Sequence, residues 1–154
     1  MELITTYICK KGDIGVHDNM FGGLILSLID DAAASYVSQI CDTQKVVTLK
    51  ISELTFKKPV KVGSILKIYG QVVEFGNTSI TVSIDVRKHS VYTGVQESVT
   101  QTKMIFVRID EDGKPRPIHQ HVKERYWDRF DKFGKGLLDQ KERLSETSDK
   151  KSDN

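Results

Sequence analysis

Two adjacent carboxylates, Asp30 and Asp31, interrupt an otherwise apolar run, and a pair of glycines, Gly22 and Gly23, opens the same run. On a helix, neighbouring residues are turned about 100° around the axis, so only one of the two acids can face a given cleft. A carboxylate facing a partly apolar cleft can act as a general base toward water, or attack an acyl carbonyl itself. Its competing role is a salt bridge or hydrogen bond at an oligomer interface. Such chemistry also needs donors where negative charge develops, and free backbone N–H groups at a helix N-terminus supply them with a favourable dipole. Gly22 and Gly23 stand at that place. Lacking a Cβ, they allow a ligand to approach the backbone closely, while tight packing of the helix against a strand would require them equally.

The element that must position these residues is a helix. From Phe21 to Ile40 the apolar residues Leu24, Ile25, Leu28, Ile29, Ala32, Tyr36, Val37 and Ile40 recur at three- and four-residue steps. Asp18 or Asn19 is expected to cap its first free amides. After the helix the pattern changes to strands at Val46 to Phe56, Ile65 to Phe75, the alternating Ile80 to Val86, and Val99 to Ile109, with Glu2 to Ile8 as a possible edge strand. Gly76-Asn77, Thr93-Gly94 and Asp112-Gly113 are turn dipeptides, so neighbouring strands are expected to pair as antiparallel hairpins. One long helix and a meander of strands leave one economical α+β arrangement, in which the sheet curls around the helix. From about Pro117, Trp127, Phe130, Phe133 and Leu137 fall at helical steps, which predicts a C-terminal amphipathic helix. Beyond Leu144 the sequence is charged and is expected to be disordered. The chain thus divides into a domain over 1–118 and a helical, then charged, tail over 119–154.

Composition narrows the function classes. With 154 residues, 38% hydrophobic and 29% charged, the chain suits one ordinary globular core. The formal charge of +2, with lysines and arginines spread among acids, gives no basic stripe for nucleic acid. No stretch approaches the roughly 18 to 20 uninterrupted apolar residues of a membrane span. The N-terminus lacks the apolar core of a signal peptide, so no membrane partner and a cytoplasmic location are expected. Cys9 and Cys41 are read as free thiols, and His119 and His121 do not make a metal site.

The run Asn19-Met20-Phe21-Gly22-Gly23-Leu24-Ile25-Leu26-Ser27-Leu28-Ile29-Asp30, followed by Val46-Val47-Thr48, Thr55-Phe56-Lys57-Lys58-Pro59-Val60-Lys61-Val62-Gly63 and Gly76-Asn77-Thr78-Ser79, resembles the hotdog acyl-CoA thioesterases, including bacterial short-chain acyl-CoA hydrolases and the brain acyl-CoA hydrolase. The likeness covers about 1–118 and implies a hotdog fold, a long helix wrapped by a curved antiparallel sheet. It implies hydrolysis of acyl-CoA to a free acid and coenzyme A, with no cofactor beyond the coenzyme A that belongs to substrate and product. It selects Asp30 over Asp31 as base or nucleophile, Gly22 over Gly23 as oxyanion donor, and Thr48 as a hydroxyl that orients the acid or the water. β-Propensity alone would also explain Thr48. Phe21, Gly23, Lys57, Asn77, Thr78 and Ser79 are the expected contacts to substrate, although loop lysines are commonly a solvated rim.

At one position the chain departs from the family: Gly15 stands where relatives commonly carry an asparagine. His17 or Asn19 is the candidate to take over its task, although a lone loop histidine is more often a surface residue. That departure favours the rival reading, a non-catalytic acyl-CoA binding or sensing module. Finally, eight residues at about 1.5 Å each separate Gly22 from Asp30 by roughly 12 Å along one helix, too far for both to touch one carbonyl. If both act, Gly22 of one protomer must meet Asp30 of another across a two-fold axis. A homodimer is then the minimal active unit, and kinship suggests a hexamer, a trimer of dimers.

Overall fold

A computed structural model describes residues 1–133, with side chains through 129. It divides into two compact units, one spanning Met1–Ile118 and one beginning at His119. In the first, β1 (Glu2–Ile8) leads through two short 3-10 turns to α1 (Gly22–Cys41), then β2 (Val46–Ile51), β3 (Ile65–Phe75), β4 (Ser79–His89) and β5 (Gln96–Arg108). These strands form one antiparallel sheet in the order β1-β3-β4-β5-β2. The β3–β4 and β4–β5 pairs are the expected hairpins. By contrast, β2 and β3 are not neighbours: β2 crosses to the far side of β5, and β1 and β2 become the two edges. The family resemblance is matched by this α+β hotdog architecture.

Patterning explains the wrap. Ile80, Val82, Ile84 and Val86 alternate along β4 and are all buried, as are Leu66, Ile68 and Val72 on β3 and Met104 and Phe106 on β5. Against this surface α1 lays the stripe Ile25, Ile29, Ala32, Ala33, Tyr36, Val37 and Ile40. Each fully buried Ile, Val or Phe contributes about 1.5–3 kcal/mol, so this stripe is the main force seating the helix. Two side-chain hydrogen bonds tie α1 to the opposite sheet edges: Tyr36 Oη donates to Glu2 Oε2 of β1 at 2.8 Å, and Thr48 Oγ1 of β2 donates to Asp30 Oδ1 at 2.7 Å. At Gly70 on β3 a Cβ would lie 2.5 Å from the tip of the Ile4 side chain and 3.3 Å from the Tyr36 ring, so glycine lets both side chains close over β3.

Two sequence expectations need correction. The strand expected over Val46 to Phe56 ends at Ile51, and 52–57 continues beside β5 as irregular chain, held by Ser52 N–H to Lys103 O and Lys57 N–H to Val99 O. The helix is capped by neither Asp18 nor Asn19. Phe21 is its N-cap and makes no side-chain capping bond, because the preceding chain is held elsewhere: Phe21 N–H bonds Asp13 O and Met20 N–H bonds Val60 O.

α1 has the length and mean hydropathy, 1.3, of a membrane-crossing helix, and 44% of that stretch is buried within the protein. A core helix wrapped by a sheet has the same character. Cys9 and Cys41 are buried free thiols. In the second unit, α2 spans Gln120–Phe133. The side chains of Phe130 and Phe133, Leu137, and the charged segment beyond Leu144 lie outside the described residues.

Candidate active site

The N-terminus of α1 opens onto a cleft of about 300 Å³ lined by Asn19, Met20, Gly22, Ile25, Phe56, Lys57, Lys58, Pro59 and Val60. Its floor is apolar, with Met20, Ile25 and Val60 buried, and its rim carries the two lysines. Leu24 and Ile25 are the first residues of α1 whose amides bond within the helix, both to Phe21 O. The amides of Gly22 and Gly23 precede them, so they emerge at the positive end of the helix dipole. A Cβ at Gly22 would sit 3.0 Å from the Phe56 ring, and one at Gly23 would sit 2.5 Å from the Phe21 ring. The glycines therefore admit two exposed aromatic rings beside the amides, where the sequence suggested either a ligand or a packed strand.

The loop ahead of the helix is strained. His17 and Asp18 both adopt left-handed backbone conformations, at φ 65° and 57°, which residues bearing a Cβ rarely do in succession. His17 is exposed, whereas Asn19 lines the cleft and its Oδ1 is buried without a hydrogen-bond partner among the described residues. Asp13 anchors this loop. Its Oδ2 accepts from Lys10 N–H at 2.8 Å and from Tyr7 Oη at 2.9 Å. The Lys10 amide foremost, then Tyr7 and the Lys10 charge, hold its carboxyl below the usual carboxylate range, against a smaller upward push from desolvation. At Gly15 a Cβ would meet Phe21 at 3.5 Å, an ordinary contact, so packing does not enforce glycine at the position where the resemblance leads one to expect asparagine.

Asp30 lies along α1, half-buried, with Oδ1 held by Thr48 and Oδ2 without a hydrogen-bond partner among the described residues. Asp31, turned away, is exposed. The structure thus brings Asp30 and Thr48 together, and separately gathers Gly22, Asn19 and Lys57. Register fixes where the remaining candidates lie. Ser79 pairs with Val107, which pairs with Val47, so the turn of Asn77, Thr78 and Ser79 lies at the Asp30–Thr48 end. Lys57 bonds Val99 instead, eight residues away along β5, or about 26 Å. The candidates therefore form two separate half-sites within one protomer, roughly 12 Å apart along α1. Phe56 was not among the expected substrate contacts; its place beside Gly22 depends on the irregular chain after β2, which strand-like composition concealed.

Among the described residues no group of three or more His, Cys, Asp or Glu side chains is placed to hold a metal. A match to the thioesterase superfamily spans residues 17–94, which includes both half-sites. The chain is 32% identical over 120 residues to the acyl-CoA thioester hydrolase YciA of Salmonella typhimurium, covering 76% of this chain and 90% of that one. Its fold is similar to a hexameric hotdog fold thioesterase of Campylobacter jejuni, with a TM-score of 0.72 and 33% identity over 82% of this chain and 96% of that one. It is also similar to the Staphylococcus aureus acyl-CoA hydrolase solved with butyryl coenzyme A and coenzyme A, with a TM-score of 0.70 and 26% identity over 95% and 90% of the two chains. Fold, site geometry and these matches agree: the chain belongs to the thioesterase superfamily.

Proposed function

We infer that this protein hydrolyses acyl-CoA thioesters to a free acid and coenzyme A, at a site that two protomers build together. The observation that carries the reading is the half-satisfied carboxylate: one oxygen of Asp30 is oriented by Thr48 and the other is open to act. In the proposed step, Asp30 takes a proton from water as the water oxygen attacks the thioester carbon. The Gly22 amide of the facing protomer receives the oxyanion, and collapse expels the coenzyme A thiolate, which recovers the proton from Asp30. Direct attack by Asp30, giving an anhydride that water then opens, fits the same geometry.

The two-protomer arrangement is supported by the separation of the half-sites and by the surface beside them. β2 is a free sheet edge. Its Val47 and Leu49 are exposed, as are Phe21, Leu26 and Phe56. An edge strand with an apolar face invites a second copy, and a two-fold axis there would set each Gly22 and Lys57 opposite a partner's Asp30, Thr48 and 77–79 turn. Lys57, with no ion-pair partner among the described residues, is suited to a coenzyme A phosphate. Cytoplasmic location belongs to the same proposal, supported by the two free thiols.

Gly15 favours a second reading, a module that binds acyl-CoA without turning it over. Thiol release from short, medium and long acyl-CoAs, measured for wild type and Asp30→Asn, separates them. Turnover lost in the variant supports hydrolysis; saturable binding without turnover in wild type supports the binding module.

A further inference from the structure

One polar atom in the cleft beside α1 has no part in the hydrolytic step. Asn19 Oδ1 is buried with no hydrogen-bond partner among the described residues, and the residue lines the cleft with Gly22, Phe56 and Lys57. Buried acceptors in folded proteins are nearly always paired, so an orphan in a cleft points to a donor that arrives with a ligand. The fold holds Asn19 in place from both sides. Its carbonyl accepts from Gly15 N–H at 2.8 Å, and the next amide, Met20 N–H, bonds Val60 O at 2.8 Å. Asn19 itself is extended, at φ −102°, directly after the left-handed pair His17 and Asp18. Backbone strain of that kind persists only where the surrounding structure enforces it, and here it delivers Asn19 to the cleft.

We propose that Asn19 reads the coenzyme A arm of the substrate, its Oδ1 accepting the amide N–H that lies two methylenes from the thioester sulfur. This rests on the reading above, in which the Gly22 amide receives the thioester oxygen. That oxygen cannot answer Oδ1, because both atoms offer only lone pairs. The attacking water belongs with Asp30 of the facing protomer, whereas Asn19 and Lys57 share the half-site of Gly22. The first donor met along the substrate from its sulfur is the amide N–H of the arm. The lining of the cleft matches that chemistry, with buried Met20, Ile25 and Val60 for the methylenes, one buried acceptor for the amide, and Lys57 at the rim for a phosphate. A thioester without the amide leaves Oδ1 unpaired, so Asn19 selects coenzyme A thioesters over simpler ones.

Two measurements test this: calorimetric titration of coenzyme A into wild type and Asn19→Ala, and thiol release from a pair of small butyryl thioesters. One of the pair is the thioester of N-acetylcysteamine, which keeps the amide; the other is that of 2-mercaptoethyl acetate, its ester isostere. Asn19→Ala should bind coenzyme A about tenfold more weakly, the loss of one hydrogen bond. Wild type should favour the amide-bearing thioester about tenfold in kcat/KM, and Asn19→Ala should turn the two over alike. Asn19→Asp, which keeps an acceptor, should retain the preference. Each preference compares two rates on one sample, so it does not depend on how much of a variant folds. Unchanged coenzyme A affinity in Asn19→Ala, or a preference that survives that substitution, would overturn the assignment and give Asn19 to the water. Wild type that binds coenzyme A but releases no thiol would sink the proposed activity alone, since the affinities still decide the role of Asn19.

Discussion

Asp30 and Asp85 are both held by hydroxyls, yet the sheet treats them oppositely. Asp85 sits on β4, only 2% exposed, with Oδ2 paired to Arg87 Nε at 2.7 Å and Oδ1 accepting from Ser98 Oγ at 3.0 Å. Arg87 is further fixed over the Tyr69 ring. Every strong demand of that carboxylate is met, so it works as structure. Asp30 has one oxygen met by Thr48, and is half-buried between a free sheet edge and the apolar face of α1. The difference teaches that an acid's use depends less on its burial than on how much hydrogen-bonding capacity the fold leaves unspent.

Substitutions that move each acid toward the other's condition break or sharpen that contrast. Asp30→Asn keeps an acceptor for Thr48 and removes the base, so thiol release should fall about 10²–10⁴-fold with the thermal midpoint nearly unchanged. An undiminished rate would remove Asp30 from the mechanism. Asp85→Ala should do the reverse. Leaving Arg87 unpaired costs about 3 kcal/mol by denaturant unfolding, the low end for a buried pair because Arg87 is partly exposed, while the rate per folded protomer persists. Equal stability of this variant and wild type would show the pair to be dispensable.

Thr48→Val is the finer probe, since it frees Asp30 Oδ1 without removing the acid. A hydrogen bond to a charged group contributes roughly 1.5–3 kcal/mol, so a fall in kcat of about tenfold or more is expected, with KM little changed. A change in KM alone would place Thr48 in binding instead.

The smallest effect concerns Asp13, which anchors the loop before α1. Its carboxyl titrates below the ordinary range, held there first by the Lys10 amide. A depressed acid stabilises the folded state fully above its unfolded pKa, and that contribution is lost as pH falls through the lowered folded value. Asp13→Asn should therefore flatten the acid limb of the stability curve below the usual carboxylate range and leave neutral pH almost untouched. An unaltered acid limb would show that the anchor does not depend on charge.

Much of this was legible in the amino-acid order. The three- and four-residue spacing of Ile25, Ile29, Ala32 and Tyr36 requires a helix with one buried face, and the alternation from Ile80 to Val86 requires a strand with one. Helix rise alone separates Gly22 from Asp30, and that separation underlies the proposal of a site shared by two copies. The end of β2 was not legible, because 52–57 has strand-like residues and only their bonding to Lys103 and Val99 shows irregular chain. Nor was the helix cap: Asp18 and Asn19 are good capping residues, but tertiary bonds from Phe21 to Asp13 and from Met20 to Val60 fix the entry to α1 and leave them outside it. The choice of β5 as the partner of β2 also belongs to the tertiary structure, and it carries Thr48 to Asp30 across 18 residues of sequence. Local periodicity determined the elements, since burying one face demands it; contacts between distant segments decided which polar groups those elements bring face to face.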